Sequence, residues 1–189
     1  SDLDLASGVI HRLYRCGYQV LVLECAKPSA IRRRVSFGEA VYDGTSRVEG
    51  VTGRLIKDIS ECRKVWDEKE IPILVDENAD AVSELKPDAL IDAILAKKNL
   101  GTTRMMAPLT IGLGPGFTAR VDVDYVVETQ RGHNLARVIE KGTAAPNTGI
   151  PGMIAGYGKE RVIHSPAAGM IHNYSEIGDI LEKDQIIAM

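Results

Sequence analysis

Three short, almost unbroken apolar runs limit what this chain can fold into more than any other feature. They are Gln19-Val20-Leu21-Val22-Leu23-Glu24, Ile71-Pro72-Ile73-Leu74-Val75-Asp76 and Asp88-Ala89-Leu90-Ile91-Asp92-Ala93-Ile94-Leu95. A strand with apolar side chains on both faces must be covered on both faces, the condition of a parallel sheet layered with helices. Each run follows a segment with helical spacing. Residues 5–16 bring Leu5, Val9, Ile10, Leu13 and Tyr14 toward one face, with Gly17 placed as a left-handed cap. Residues 56–68 and 79–85 take the same position before the second and third runs. This alternation predicts an α/β fold with a parallel sheet. With 189 residues the chain fills one core, or one larger and one smaller unit. The pattern assigns a Rossmann-like nucleotide-binding domain to residues 1–105 and a smaller, mostly-β domain to residues 106–189.

Helix, short turn, buried strand and terminal glutamate form the second half of a dinucleotide-binding βαβ unit, in which the carboxylate accepts hydrogen bonds from ribose hydroxyls. Asp4, Ala6, Ser7, Gly8 and Glu24 are therefore candidate ligands of NAD(P) or another nucleotide. The competing reading gives Ser7 and Gly8 an ordinary helix-capping role and Glu24 that of a solvated carboxylate at a strand end. The first half of the unit, a strand with a glycine-rich turn, is absent, since only Ser1-Asp2-Leu3 precedes Asp4.

Residues 107–152 hold four clusters of turn-forming residues. These are Gly112-Leu113-Gly114-Pro115-Gly116-Phe117, Arg131-Gly132-His133-Asn134, Pro146-Asn147-Thr148-Gly149 and Pro151-Gly152. Glycines at this density let main-chain N–H groups approach an anion, while the prolines stiffen the loops that present them. A strand, Pro108-Leu109-Thr110-Ile111-Gly112-Leu113, runs into the first cluster. Ligands of parallel sheets bind beyond the carboxyl ends of strands. Gly112, Gly114 and Gly116 with Asn134, Asn147 and Thr148 are thus candidate anion or substrate contacts, although a tight turn explains the glycines equally. Arg131 brings a fork of donors and His133 a group that titrates near neutrality, the combination expected of a catalytic or anion-binding pair. A structural role bonding backbone carbonyls is the alternative. Residues 119–129 alternate apolar and polar side chains as a half-buried strand does. A strand of that length spans about 33 Å. The first two clusters then meet at one cleft only if the strand breaks, near Asp122 to Asp124.

These clusters, with Asp4-Leu5-Ala6-Ser7-Gly8 and Pro28-Ser29-Ala30-Ile31-Arg32-Arg33-Arg34-Val35-Ser36-Phe37, resemble a bacterial family of accessory proteins for selenium-dependent molybdenum hydroxylases. The resemblance covers most of the chain. It implies a maturation factor whose partners are the hydroxylase or its cofactor-assembly proteins. Members of the family carry a strand and a run of glycines before the first helix, so residues are expected to be missing between Leu3 and Asp4. A competing expectation is an NAD(P)-dependent oxidoreductase with His133 as acid or base and Arg131 clamping a carboxylate. A third is a scaffold that catalyses nothing.

The tail differs in character. Residues 161–171 and 177–188 read as short strands joined by tight turns, similar to half of a biotinyl/lipoyl-type barrel-sandwich. The Ser165-Pro166-Ala167-Ala168-Gly169 turn fits that fold, but Asp184 stands where glycine is usual and no lysine occupies a hairpin tip. Half a barrel leaves an unpaired edge, which predicts a homo-oligomer, a dimer above all.

A net charge of -3 and a pI near 5.8, with one short basic run at Arg32-Arg33-Arg34, exclude nucleic acid as the expected partner. Cys16, Cys25 and Cys62 form no disulfide framework and read as reduced thiols in a cytoplasmic protein, Cys16 and Cys25 as small apolar fillers. His11 reads as a surface residue of the first helix, and His164 and His172 lack an acidic partner at ligand spacing, so no metal is expected. No apolar stretch is long enough to span a bilayer, so no membrane partner is expected.

Overall fold

The computed structural model describes residues 3–149 and 153–189. Its elements begin with α1 (Leu3–Arg15), β1 (Val22–Glu24), α2 (Ala40–Asp43), β2 (Thr45–Val48), β3 (Val51–Ile56), α3 (Cys62–Asp67), β4 (Ile71–Val75) and α4 (Ala81–Leu85). There follow β5 (Ala89–Asp92), β6 (Leu109–Leu113), β7 (Thr118–Ala119), β8 (Tyr125–Val127), β9 (Val138–Ile139) and β10 (Gly142–Thr143). The fold is mixed α/β with few helices and two separate sheets that contain parallel strands.

The first sheet has the order β1-β4-β3-β2, with β4 parallel to both β1 and β3 and β2 folded back antiparallel on β3. Helix α1 closes as its sequence predicts: the Gly17 N–H donates to Tyr14 O at 2.9 Å and the Tyr18 N–H to Leu13 O at 3.2 Å, with Gly17 at φ +89°. Its Ile10 and Tyr14 pack on Val22, Phe37, Ala40, Val48, Val51, Ile71 and Ile73, which form the core on one face. Leu21, Leu74 and Ile56 meet Cys62, Val65 and Trp66 from α3 in a second cluster. Burial on two sides is what the unbroken apolar run of β4 requires.

The second sheet has the order β5-β6-β8-β9, with β6 parallel to β5 and β8, and β9 antiparallel to β8. Its core holds Phe117, Ala119, Val123, Val126 and Ala144, with Ile139 packed against it. No helix connects β5, β6 and β8. Long loops and the small β7–β10 ribbon replace the usual helical crossovers. The predicted strand over residues 119–129 is broken into β7 and β8. The Val121 and Asp122 N–H groups both donate to Thr118 O, and the Asp122 carboxylate accepts the Thr118 N–H at 2.7 Å. That tight turn loops the chain round so that Ala119 and Val123 form a parallel bridge, and the alternating pattern belongs to two short strands.

The chain divides into two compact units, Ser1–Thr148 and Gly149–Met189. The boundary expected at 105/106 lies between two paired strands, the β5–β6 ladder running from Ala89↔Leu109 to Asp92↔Gly112. The tail departs from half a barrel-sandwich. Its described residues hold isolated bridges, Ile154↔Tyr157 and Asn173↔Ala188, and one short 3₁₀ turn in place of a strand framework. The Tyr174 N–H donates to Ile187 O and the Met189 N–H to His172 O, which pairs the two ends of this segment. Ile163, Met170 and Ile180 stay exposed within it, so its apolar side chains build no core of their own.

Candidate functional site

Both sheets end their parallel strands in loops, and the two sets of loops differ in where their acids sit. At the first sheet, Glu24 closes β1 and pairs with Val75 at the end of β4. Its Oε2 accepts the Cys25 N–H at 3.1 Å, and burial raises its pKa above the usual carboxylate range. Across from it Glu77 Oε1 accepts the Ala26 N–H at 3.0 Å, and the Asp76 carboxylate accepts the Asp80 and Ala81 N–H groups at the start of α4. Asp58 and Glu61 form a capping box after β3. These carboxylates hold backbone donors at the surface, beside exposed Lys27 and Lys57 on the same loops.

The N-terminal candidates stand beside this edge. Ser7 is 2% exposed and its Oγ accepts the Phe37 N–H at 3.0 Å, which ties α1 to the segment following β1. Ala6 is buried, and Gly8 faces open space. The Ser7 hydroxyl is therefore occupied by the fold. The side chain of Asp4 and the Pro151-Gly152 turn lie outside the described residues. His11 corrects the surface expectation: it is half-buried, and its Nε2 has no hydrogen-bond partner among the described residues. Cys16 is exposed rather than a filler, while Cys62 is buried and its thiol pKa is raised by that burial. Among the described residues no group of three His, Cys, Asp or Glu side chains could hold a metal ion.

At the second sheet the loops after β5, β6 and β8 leave the same edge, because the three strands are parallel and in register. They are fitted closely to one another. Gly114 has φ +77°, and a Cβ there would lie 2.6 Å from Thr129 Oγ1; its N–H donates to Val127 O at 2.8 Å. Gly116 has φ +113°, and a Cβ there would lie 2.6 Å from the Lys98 Cα. A Cβ on Gly112 would enter the Phe117 ring at 2.5 Å. The glycines thus admit neighbouring chain. The glycine loop is thereby placed against the chain that enters the Arg131-Gly132-His133-Asn134 loop and against the loop following β5.

Two buried carboxylates underlie this edge. Asp92, 6% exposed, accepts the Thr102 hydroxyl at 2.6 Å and the Ile94 N–H at 3.1 Å, while Asn99 Oδ1 accepts the Gly101 and Thr102 N–H groups. Glu128, also 6% exposed, accepts the Gln130 N–H at 2.7 Å and the Ala145 N–H at 2.8 Å. Burial by itself would raise its pKa, but the N–H donors of Ala145, Gln130 and Thr129 outweigh burial and hold it below the ordinary value. Above them Lys97, Lys98, Arg131, His133 and Arg137 are exposed, and no exposed carboxylate lies on residues 93–103, 114–117 or 128–137. Asn134 Oδ1 accepts a hydrogen bond from Arg137 at 3.2 Å. Asn147 and Thr148 are exposed two and three residues beyond Ala145. Chemically, the arrangement offers fixed positive charge on loops that buried hydrogen bonds hold in place, a setting for an anion.

Sequence reasoning passed over Asp92, Thr102, Lys97, Lys98 and Glu128. Glu128 carried the signal used for Glu24, an acid just past an apolar strand, but the long strand assigned to residues 119–129 hid it.

No family model matches the chain, and no solved structure matches it. It is 49% identical over 185 residues to a protein of Escherichia coli strain K12 named "Uncharacterized protein YqeB". The match takes in 98% of this chain and 34% of that protein, so the chain spans about a third of the length of this relative. No helix among the described residues is long and apolar enough to cross a membrane.

Proposed function

We propose that this chain is the anion-handling part of a maturation factor for a selenium-dependent molybdenum hydroxylase, binding a nucleotide or another phosphate-bearing ligand at the carboxyl edge of the second sheet. The observation that carries the site is the burial of its acids: Asp92 and Glu128 are buried, and exposed Lys98 and Arg131 stand on loops fitted against the glycine loop, with no exposed carboxylate on residues 93–103, 114–117 or 128–137. A phosphate is attracted to an edge of this kind. The pathway comes from the sequence resemblance, and the 49% identity to a bacterial protein agrees with a bacterial system.

Arg131 supplies a donor fork, and an exposed side chain can be lost without disturbing the core. Arg131→Ala is expected to abolish activation of the client hydroxylase and to weaken nucleotide binding at least tenfold, with an unchanged thermal transition. Client activity in cells together with calorimetric nucleotide titration tests this. Full client activation by the variant would sink the proposal.

A further inference from the structure

The buried Glu128 side chain touches two of the candidate loops at once. One carboxylate oxygen accepts the N–H of Gln130, the residue before Arg131, and the other accepts the N–H of Ala145, two residues before Asn147. Its main chain closes the base of the same loop: the Glu128 N–H donates to Arg137 O at 3.0 Å and its carbonyl accepts from Ala136 N–H at 2.9 Å. On the other side, Ala144 is buried in the core, and β10 pairs with β7, which directly follows the glycine loop. Glu128 reaches across seventeen residues of sequence to Ala145.

We propose that Glu128 is a positioning residue that locks the Arg131-Gly132-His133-Asn134 loop and the Ala145-Pro146-Asn147-Thr148 segment into one clamp, and that this clamp takes a diphosphate group. The inference rests on the anion site proposed above and adds to it the second loop, the ligand class and the residue that joins them. Arg131 brings a planar fork suited to phosphate oxygens. Asn147 brings an exposed amide from the other side of the Glu128 carboxylate. Two donor-bearing loops held side by side suit two linked phosphates better than a single one. A carboxylate is needed at the hinge because it accepts from both directions, whereas an amide of the same shape offers one acceptor and turns an NH₂ toward the second donor.

The test is titration of the intact protein with inorganic pyrophosphate, with orthophosphate for comparison. The unaltered protein is expected to bind pyrophosphate at least tenfold more tightly than orthophosphate. Arg131→Ala and Asn147→Ala are each expected to weaken binding, with a combined loss smaller than the product of the two. In Glu128→Gln, whose fold is checked by circular dichroism, binding falls at least tenfold and the Arg131 and Asn147 effects become independent. A purely structural Glu128 would leave that coupling intact. Hydrogen exchange on the unaltered protein needs no variant: pyrophosphate should slow the Gln130 and Ala145 amides together. Binding lost in Arg131→Ala but retained with coupling in Glu128→Gln overturns the clamp and leaves the anion site standing. No pyrophosphate binding by the unaltered protein, or binding indifferent to Arg131, overturns both, and slowing at only one of the two amides overturns the clamp.

Discussion

The two four-stranded sheets have the same strand directions, three parallel and one antiparallel at an edge, but they are completed differently. The first is sandwiched between α1 and α3 and ends in loops whose acids, Asp58, Asp76 and Glu77, bind backbone N–H groups. The second has loops where helices would be, and its acids, Asp92 and Glu128, are buried while lysine and arginine reach solvent. Helical crossovers satisfy their own backbone, so a helix-covered sheet can leave its carboxylates at the surface as caps. Loop crossovers must find partners for every N–H and C=O, which draws the carboxylates inward and leaves the cations outside. The same sheet directions thus yield an edge whose acids cap backbone at the surface in one place and an edge whose acids are buried beneath exposed cations in the other.

The strongest break of this comparison is at the glycines. Gly116→Ala must fit a Cβ against the Lys98 main chain at φ +113°, and no side-chain rotation relieves that contact. It is expected to cost about 3 kcal/mol or more. Gly53→Ala in the first sheet meets only side-chain atoms, Ile73 Cδ1 at 2.7 Å and Phe37 Cδ1 at 2.9 Å. Repacking there is expected to limit the loss to about 1–3 kcal/mol. Urea denaturation of the two variants checks the order, and a smaller loss for Gly116→Ala would mean that the loop crossovers are not tightly fitted.

Glu24 and Glu128 sharpen the contrast by titrating in opposite directions. Backbone donors hold the folded pKa of Glu128 below its unfolded value of about 4.3, so its contribution is present above that pH and is lost as pH falls through the folded value. Glu128→Gln is expected to cost about 1–3 kcal/mol at neutral pH, the range for an unsatisfied buried donor, and less in acid. Burial raises the folded pKa of Glu24, so its contribution is present below about 4.3 and is lost as pH rises through the folded value. Glu24→Gln is therefore expected to stabilise the protein at neutral pH by a smaller amount, with the gain vanishing on acidification. Thermal melts from pH 3 to pH 8 read both signs, and parallel pH profiles for the two variants would erase the distinction. The smallest effect is expected from Gly8→Ala on α1, where an added Cβ meets nothing within 4 Å. Helix propensity alone should stabilise the protein by about 0.5–1 kcal/mol, measurable by the same melts.

The local rules of the chain were legible in sequence. The apolar run at residues 71–76 gave β4, Gly17 gave the α1 cap, and the strand at residues 108–113 led into the glycine loop as β6, since each depends on neighbours in sequence. The candidate residues Arg131, His133, Asn134, Asn147 and Thr148 were also legible as exposed loop residues, because glycine and proline mark loops directly. Periodicity could not reveal that residues 119–129 are interrupted by a tight turn, because two short strands with the same alternation look like one long strand. Nor could it show that β5 and β6 pair across the expected boundary. Partner choice, the distribution of burial between Glu24 and Glu128, and the meeting of Gly114 with Thr129 and of Glu128 with Ala145 were decided by tertiary structure alone. These are long-range contacts, and their free energy depends on which surfaces are removed from water together, a quantity that no local pattern of residues contains.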